Sequence, residues 1–173
     1  MANPFILTAK LPDDIHSWAD ALRKAHFPPE RNHLHAHVTM FHAFAPSLLD
    51  ELKHFIPSIT REFAPPRAEI TGLMDLGKGT AIRLHSPELL AIRALIAEHF
   101  HGALTDQDLH EPRPHITIQN KVSKEEARAL QAELAPKIEQ RSFRFPALQL
   151  WRYLGGPWEK VGDSAFRGKS SPD

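Results

Sequence analysis

Two short segments, His37-Val38-Thr39 and His115-Ile116-Thr117, each place an imidazole two residues from a hydroxyl, one segment in each half of the chain. In an extended backbone alternate side chains leave by the same face, so each histidine emerges beside its threonine. Two such units suit displacement at phosphorus. One neutral imidazole takes a proton from an attacking water and the other, protonated, returns one to the departing oxygen; each transfer is worth roughly 10²–10⁴ in rate. The threonine hydroxyls, on stiff β-branched side chains, donate to the non-bridging oxygens as charge gathers there. The composition agrees: 12 histidines favour proton transfer, and the lack of cysteine excludes disulfides and thiolate metal sites.

The strands that must present these units are legible as alternation. Over 34–41 the apolar Leu34, Ala36, Val38 and Met40 take one face, while His33, His35, His37 and Thr39 take the other. Over 114–121 Ile116 and Ile118 point inward, and Arg113, His115, Thr117, Gln119 and Lys121 share the opposite face. Arg113 is therefore a candidate phosphate-binding cation. Shared parity also makes a metal held by His33, His35 and His37 a competing use of the first strand; with Glu30 the only carboxylate close by in sequence, no metal and no cofactor is expected.

Around these strands, helical and alternating patterns take turns, as in a mixed fold. A first strand is expected over 4–10, then a helix from Pro12 with Ile15, Trp18, Leu22 and Ala25 on one face, ended by Pro28-Pro29. Ser47 reads as the N-cap of a helix carrying Leu48, Leu52, Phe55 and Ile59, kinked or shortened by Pro57. Two strands within 67–84 flank Gly77-Lys78-Gly79, a turn rather than a phosphate loop because no helix follows it. Ser86-Pro87 opens a helix with Leu89, Ile92, Ile96 and Phe100 inward, and Ser123-x-x-Glu126 caps another with Ala127, Leu130 and Leu134, which Pro136 ends or kinks. A final strand pair, about 143–154 and 158–166, turns at Gly155-Gly156-Pro157 and carries Trp151 and Tyr153 on one parity, where they can stack a nucleobase. One domain over 1–167 is expected, with a disordered tail from Gly168 to Asp173.

The paired motifs, His37-Val38-Thr39-Met40 and Pro114-His115-Ile116-Thr117-Ile118, resemble those of the 2H phosphoesterase superfamily, in particular its 2'-5' RNA ligase-like proteins. The resemblance implies an α+β, bilobal fold with two pseudo-symmetric lobes, antiparallel sheets lining a central cleft and helices outside. It also implies hydrolysis of 2',3'-cyclic or 2'-5' phosphodiesters of an RNA end or small nucleotide, with reverse 2'-5' ligation in some members. His37 and His115 would be the acid/base pair, and Thr39 and Thr117 the phosphate-binding hydroxyls. After the first motif, Phe41-His42-Ala43-Phe44 departs from the apolar-then-glycine run of the RNA-ligase-like branch, which bears on the substrate more than on the chemistry.

Lys+Arg and Asp+Glu balance at 21 each, so no overall basic field exists to hold a long nucleic acid, and the expected partner is a small nucleotide or a strand end. Phe5 to Leu11 is too short and too mixed for a secretory or membrane segment. A cytoplasmic monomer with no membrane association is the expectation. Two other classes compete with the hydrolase: a nucleotide- or RNA-end-binding module without turnover, and a histidine-metal hydrolase.

Overall fold

A computed structural model describes residues 3–172. The chain runs β1 (Phe5–Ala9), α1 (Asp13–His26), β2 (Val38–Phe44), α2 (Leu49–Glu62), β3 (Arg67–Asp75), β4 (Thr80–His85), α3 (Pro87–His99), β5 (His115–Gln119), α4 (Lys124–Leu134), β6 (Arg141–Arg144), β7 (Ala147–Tyr153) and β8 (Trp158–Ala165). Two four-stranded antiparallel sheets result, ordered β2-β1-β7-β8 and β5-β4-β3-β6. The motif strands β2 and β5 are each an edge strand, and each follows its antiparallel neighbour through one helix, β1-α1-β2 and β4-α3-β5. That repeated unit gives the two lobes their pseudo-symmetry.

Several elements form for the reasons the sequence offers. Ser86 Oγ accepts the Leu89 N–H at 3.2 Å and Pro87 fills the first turn of α3, while Ser123 Oγ accepts the Glu126 N–H at 3.1 Å at the start of α4. The inward faces of both helices, Leu89, Ile92 and Ile96 on α3 and Ala127, Leu130 and Leu134 on α4, are buried. Gly77 takes φ +84° in the β3–β4 turn. Gly79 packs against β5, where an added Cβ would lie 2.2 Å from the Gln119 carbonyl oxygen.

Other elements depart from expectation. The segment before β2 is irregular up to His37, so His33 and His35 stand on a loop and not on a strand. Ser47 sits in a 3₁₀ turn (Pro46–Leu48), and Leu48 begins α2 without a side-chain cap. Pro57 lies inside α2, which runs on to Glu62. α1 buries Ile15, Ala19, Asp20 and Arg23, while Trp18 and Leu22 are half-buried and Ala25 is exposed. The helix is turned because α1 packs against β5 of the other lobe and sets polar groups in the junction. The strand expected from 143 to 154 is two strands: β6 pairs with β3 and β7 with β1, and Phe145-Pro146 carries the chain between sheets. Proline has no N–H with which to continue a ladder.

The tail expected to lack structure is tied to the end of α2. Gly168 N–H donates to the Phe63 oxygen and Ala64 N–H to the Ser170 oxygen, both at 3.0 Å. Asp173 lies outside the described residues. Among the described residues no helix is long and apolar enough to cross a membrane.

Candidate active site

Both motif histidines are held in the same way. His37 Nδ1 lies 2.7 Å from the main-chain oxygen of His35, and His115 Nδ1 lies 2.7 Å from that of Arg113. A carbonyl only accepts, so each ring carries its proton on Nδ1 and leaves Nε2 to do chemistry. His37 also packs against Trp158, ring centres 4.7 Å apart. Although only part of its surface is covered, the ring is crowded by protein, and burial pushes its pKa down to about 4. The bond to His35 opposes that shift; the charges of Arg23, His115 and His42 add to it. His37 is therefore neutral at pH 7, with the Nε2 lone pair free.

Each motif strand carries a register shift immediately after its threonine. Thr8 faces Thr39 but Leu7 faces Phe41, and Ala81 faces Thr117 but Thr80 faces Gln119. The surplus residue is a β-bulge, a device that re-aims side chains near functional sites. Met40 and Phe41 are consequently both buried, as are Ile118 and Gln119, and simple alternation fails beyond the motifs. Gln119, expected on the open face, instead accepts from Thr80 Oγ1 at 2.9 Å. Asn120 lines the cleft beside Thr117, and Lys121 leaves the strand at φ +60°.

Two hollows meet at His37. The larger, of about 620 Å³, is polar and includes Arg23, Arg31, Thr117, Asn120, Lys121 and Tyr153 in its lining. The smaller, of about 320 Å³, is flanked by Trp151, Trp158, His16 and Lys160. His37 and Trp158 line both. Trp151 is anchored by an indole N–H to Thr8 Oγ1 bond of 2.9 Å, on the β1 residue paired with Thr39. Of the sequence candidates, His37, Thr117 and Tyr153 thus border the larger hollow and His37 and Trp151 the smaller. Thr39, His115 and Arg113 line neither; Arg113 contributes the main-chain oxygen that orients His115.

Arg23 was not foreseen. It is 3 % exposed, donates through Nε to Asn32 Oδ1 at 2.7 Å and through Nη1 to the Thr117 oxygen at 3.0 Å, and lies over Phe27. Its charge sits in the cleft wall, far along the chain from either motif, where no periodicity would flag it. Trp158 and the Asp108–His42 pair were missed for the same reason. Asp108 is fully buried and accepts from the N–H groups of His42 and Ala43 and from Thr105 Oγ1, with His42 Nδ1 at 3.1 Å.

The model of the 2'-5' RNA ligase superfamily matches residues 11–157, a span that contains both histidine motifs. The chain belongs to that superfamily. No curated protein matches this 2'-5' RNA ligase superfamily member by sequence. Its fold is similar to that of TT0787 of Thermus thermophilus, with a TM-score of 0.67 and 14% identity over 95% of this chain and 98% of that one. It is also similar to E. coli LigT complexed with NADP+, with a TM-score of 0.60 and 15% identity over 96% and 99% of the respective chains. A structure described only as a phosphoesterase aligns with a TM-score of 0.58 and 16% identity over 96% and 99%. The superfamily member thus has the two-sheet, four-helix α+β architecture of LigT-like phosphoesterases.

Proposed function

We propose that this chain is a phosphodiesterase that opens a 2',3'-cyclic phosphate, or cleaves a 2'-5' phosphodiester, at an RNA end or in a small nucleotide, with 2'-5' ligation as the ring opening in which a 5'-hydroxyl takes the place of water. The matched pair of imidazoles carries the reading: both are fixed at Nδ1 by a main-chain carbonyl, and both keep Nε2 free. His37, neutral because its pKa is about 4, is the base. Its Nε2 takes a proton from water as the water oxygen bonds to phosphorus. The bond from phosphorus to the leaving ribose oxygen breaks, and His115 gives that oxygen a proton. Attack and departure lie on opposite sides of phosphorus, which is why one histidine from each lobe is needed.

Thr39, Thr117 and the cationic Arg23 are assigned to the non-bridging oxygens. No metal takes part in these steps. Trp151 and Trp158 offer faces for a base beside His37, and Tyr153 flanks the polar hollow. LigT of the same fold has been crystallised with 3'-AMP, ATP and NADP+, which supports a nucleotide as the ligand class here.

The test is turnover of nucleoside 2',3'-cyclic phosphates in EDTA with identification of the monoester product. Activity should fall by roughly 10²–10⁴ in His37→Ala and in His115→Ala. Binding without product would make the chain a recognition module; activity abolished by EDTA and restored by a metal would make it a metal hydrolase.

A further inference from the structure

α1 sets His16 and Asp20 one turn apart, toward the irregular segment before β2, and His35 meets them there. One ligand atom from each of the three lies within 4.8 Å of the others. The His35 Nδ1 to Asp20 Oδ2 distance is 3.3 Å, and the His16 and His35 ring centres are 5.9 Å apart. Ligands about 2.1 Å from a tetrahedral zinc ion stand roughly 3.4 Å from one another, so one edge of such a site is already formed and rotation of side chains closes the rest.

We propose that His16, Asp20 and His35 form a site for a divalent transition-metal ion of the zinc class, separate from the catalytic pair, whose work is to brace the loop that carries His37. Two imidazoles and a carboxylate are a donor set that zinc takes, and a fourth position stays open to water because His35 is exposed. Asp20 is already oriented: its Oδ1 accepts the Ala36 N–H at 2.9 Å, which leaves Oδ2 for the ion. Lys24 Nζ stands 3.5 Å from Oδ2, but its side chain is 70% exposed and swings into solvent at little cost. If His35 coordinates through Nδ1, the proton now on that nitrogen moves to Nε2, on the solvent side.

The trio differs from the metal site that strand parity suggested. The ligand atoms that gather around His35 come from α1, at His16 and Asp20, while His37 lines the cleft. The consequence for the cleft is indirect. Segment 32–37 has no regular secondary structure, and its His35 carbonyl is the acceptor that fixes His37. An ion on the His35 side chain immobilises that carbonyl without touching phosphorus.

The experiment uses the full chain, stripped with chelator and dialysed, titrated with zinc chloride by calorimetry and followed by thermal melting. The expected result is one ion per chain with a dissociation constant on the order of micromolar or tighter, and a higher Tm. His16→Ala and His35→Ala should each weaken binding at least tenfold, and Lys24→Ala should tighten it. His16→Gln keeps the bulk of the side chain and serves if His16→Ala fails to fold. His54→Ala, on the exposed face of α2, and His115→Ala should leave the affinity unchanged. No saturable single site, or equal weakening in His54→Ala, overturns the proposal; loss in His115→Ala overturns it by moving the ion to the catalytic pair. The readout is binding, so either outcome leaves the phosphodiesterase reading to its own test.

Discussion

The Arg23 guanidinium, on α1, donates through Nη1 to the main-chain oxygen of Thr117 on β5, at 3.0 Å across the lobe junction. The opposite lobe answers with Arg93 on α3, whose Nε donates to the Met40 oxygen on β2 at 3.3 Å. Each helix thus grips the motif strand of the other half beside its threonine. Replacing Arg23 with Met removes two charged hydrogen bonds and should lower stability by about 2–3 kcal/mol, read by urea denaturation. It should also lower kcat/KM on a cyclic nucleotide at least tenfold, because the positive charge in the cleft wall goes with it.

The depressed pKa of His37 fixes an acid-side prediction. In the unfolded chain the ring takes a proton near pH 6.5, while in the folded chain it does so at about 4. Between those values the unfolded state binds more protons, so stability is fully present above pH 6.5 and is lost as pH falls toward 4. Because solvent reaches the mouth of the cleft, the contribution is on the order of 1–2 kcal/mol. Wild-type should therefore lose more stability than His37→Gln between pH 6.5 and 4 in denaturant titrations. The kcat/KM profile should be bell-shaped, with its acid limb near pH 4.

Asp108 gives a second acid-sensitive contact. Burial alone would raise its pKa, but the bonds from His42 and Ala43 outweigh burial and hold the carboxyl below the usual range. Its stabilisation is present above the unfolded carboxylate pKa and is lost as pH falls through the lower folded value. Asp108→Ala leaves two partly buried N–H groups without an acceptor and should cost about 1–3 kcal/mol at pH 7, measured by thermal melts. Asp108→Asn, which keeps one acceptor oxygen, should cost less.

Gly79→Ala tests the support behind the second motif. The new Cβ would meet the Gln119 oxygen at 2.2 Å and the Asn120 Cα at 2.8 Å, both backbone atoms that cannot rotate away. A loss of about 2–3 kcal/mol is expected, with reduced kcat/KM because Asn120 lines the cleft. A Tm equal to wild-type would refute the close packing described.

What the sequence disclosed was whatever depends on neighbours along the chain. The Ser86 and Ser123 caps, the apolar faces of α3 and α4 and the parity of His37 with Thr39 all follow from local spacing. Hidden from it was whatever a distant segment decides. Asp20 and Arg23 look like the solvated side of α1, yet they are buried because β5 and the β2 loop close over them. Trp158 reads as a hairpin residue until it is found against His37, and Phe145-Pro146 reads as strand until two sheets claim its flanks. Ser47 has the chemistry of a cap, but Pro46 begins a 3₁₀ turn first.

The bulges after Thr39 and Thr117 have a bearing on anyone who would re-engineer selectivity. Stepping by twos from either histidine nominates Phe41 and Gln119, whose replacement would only disturb packed interior. The residue that lines the larger hollow is offset by one, at Asn120, and His42 holds the matching place after the first bulge, bound to Asp108. A randomised library at Asn120 would vary the lining of that hollow while leaving the packed residues in place.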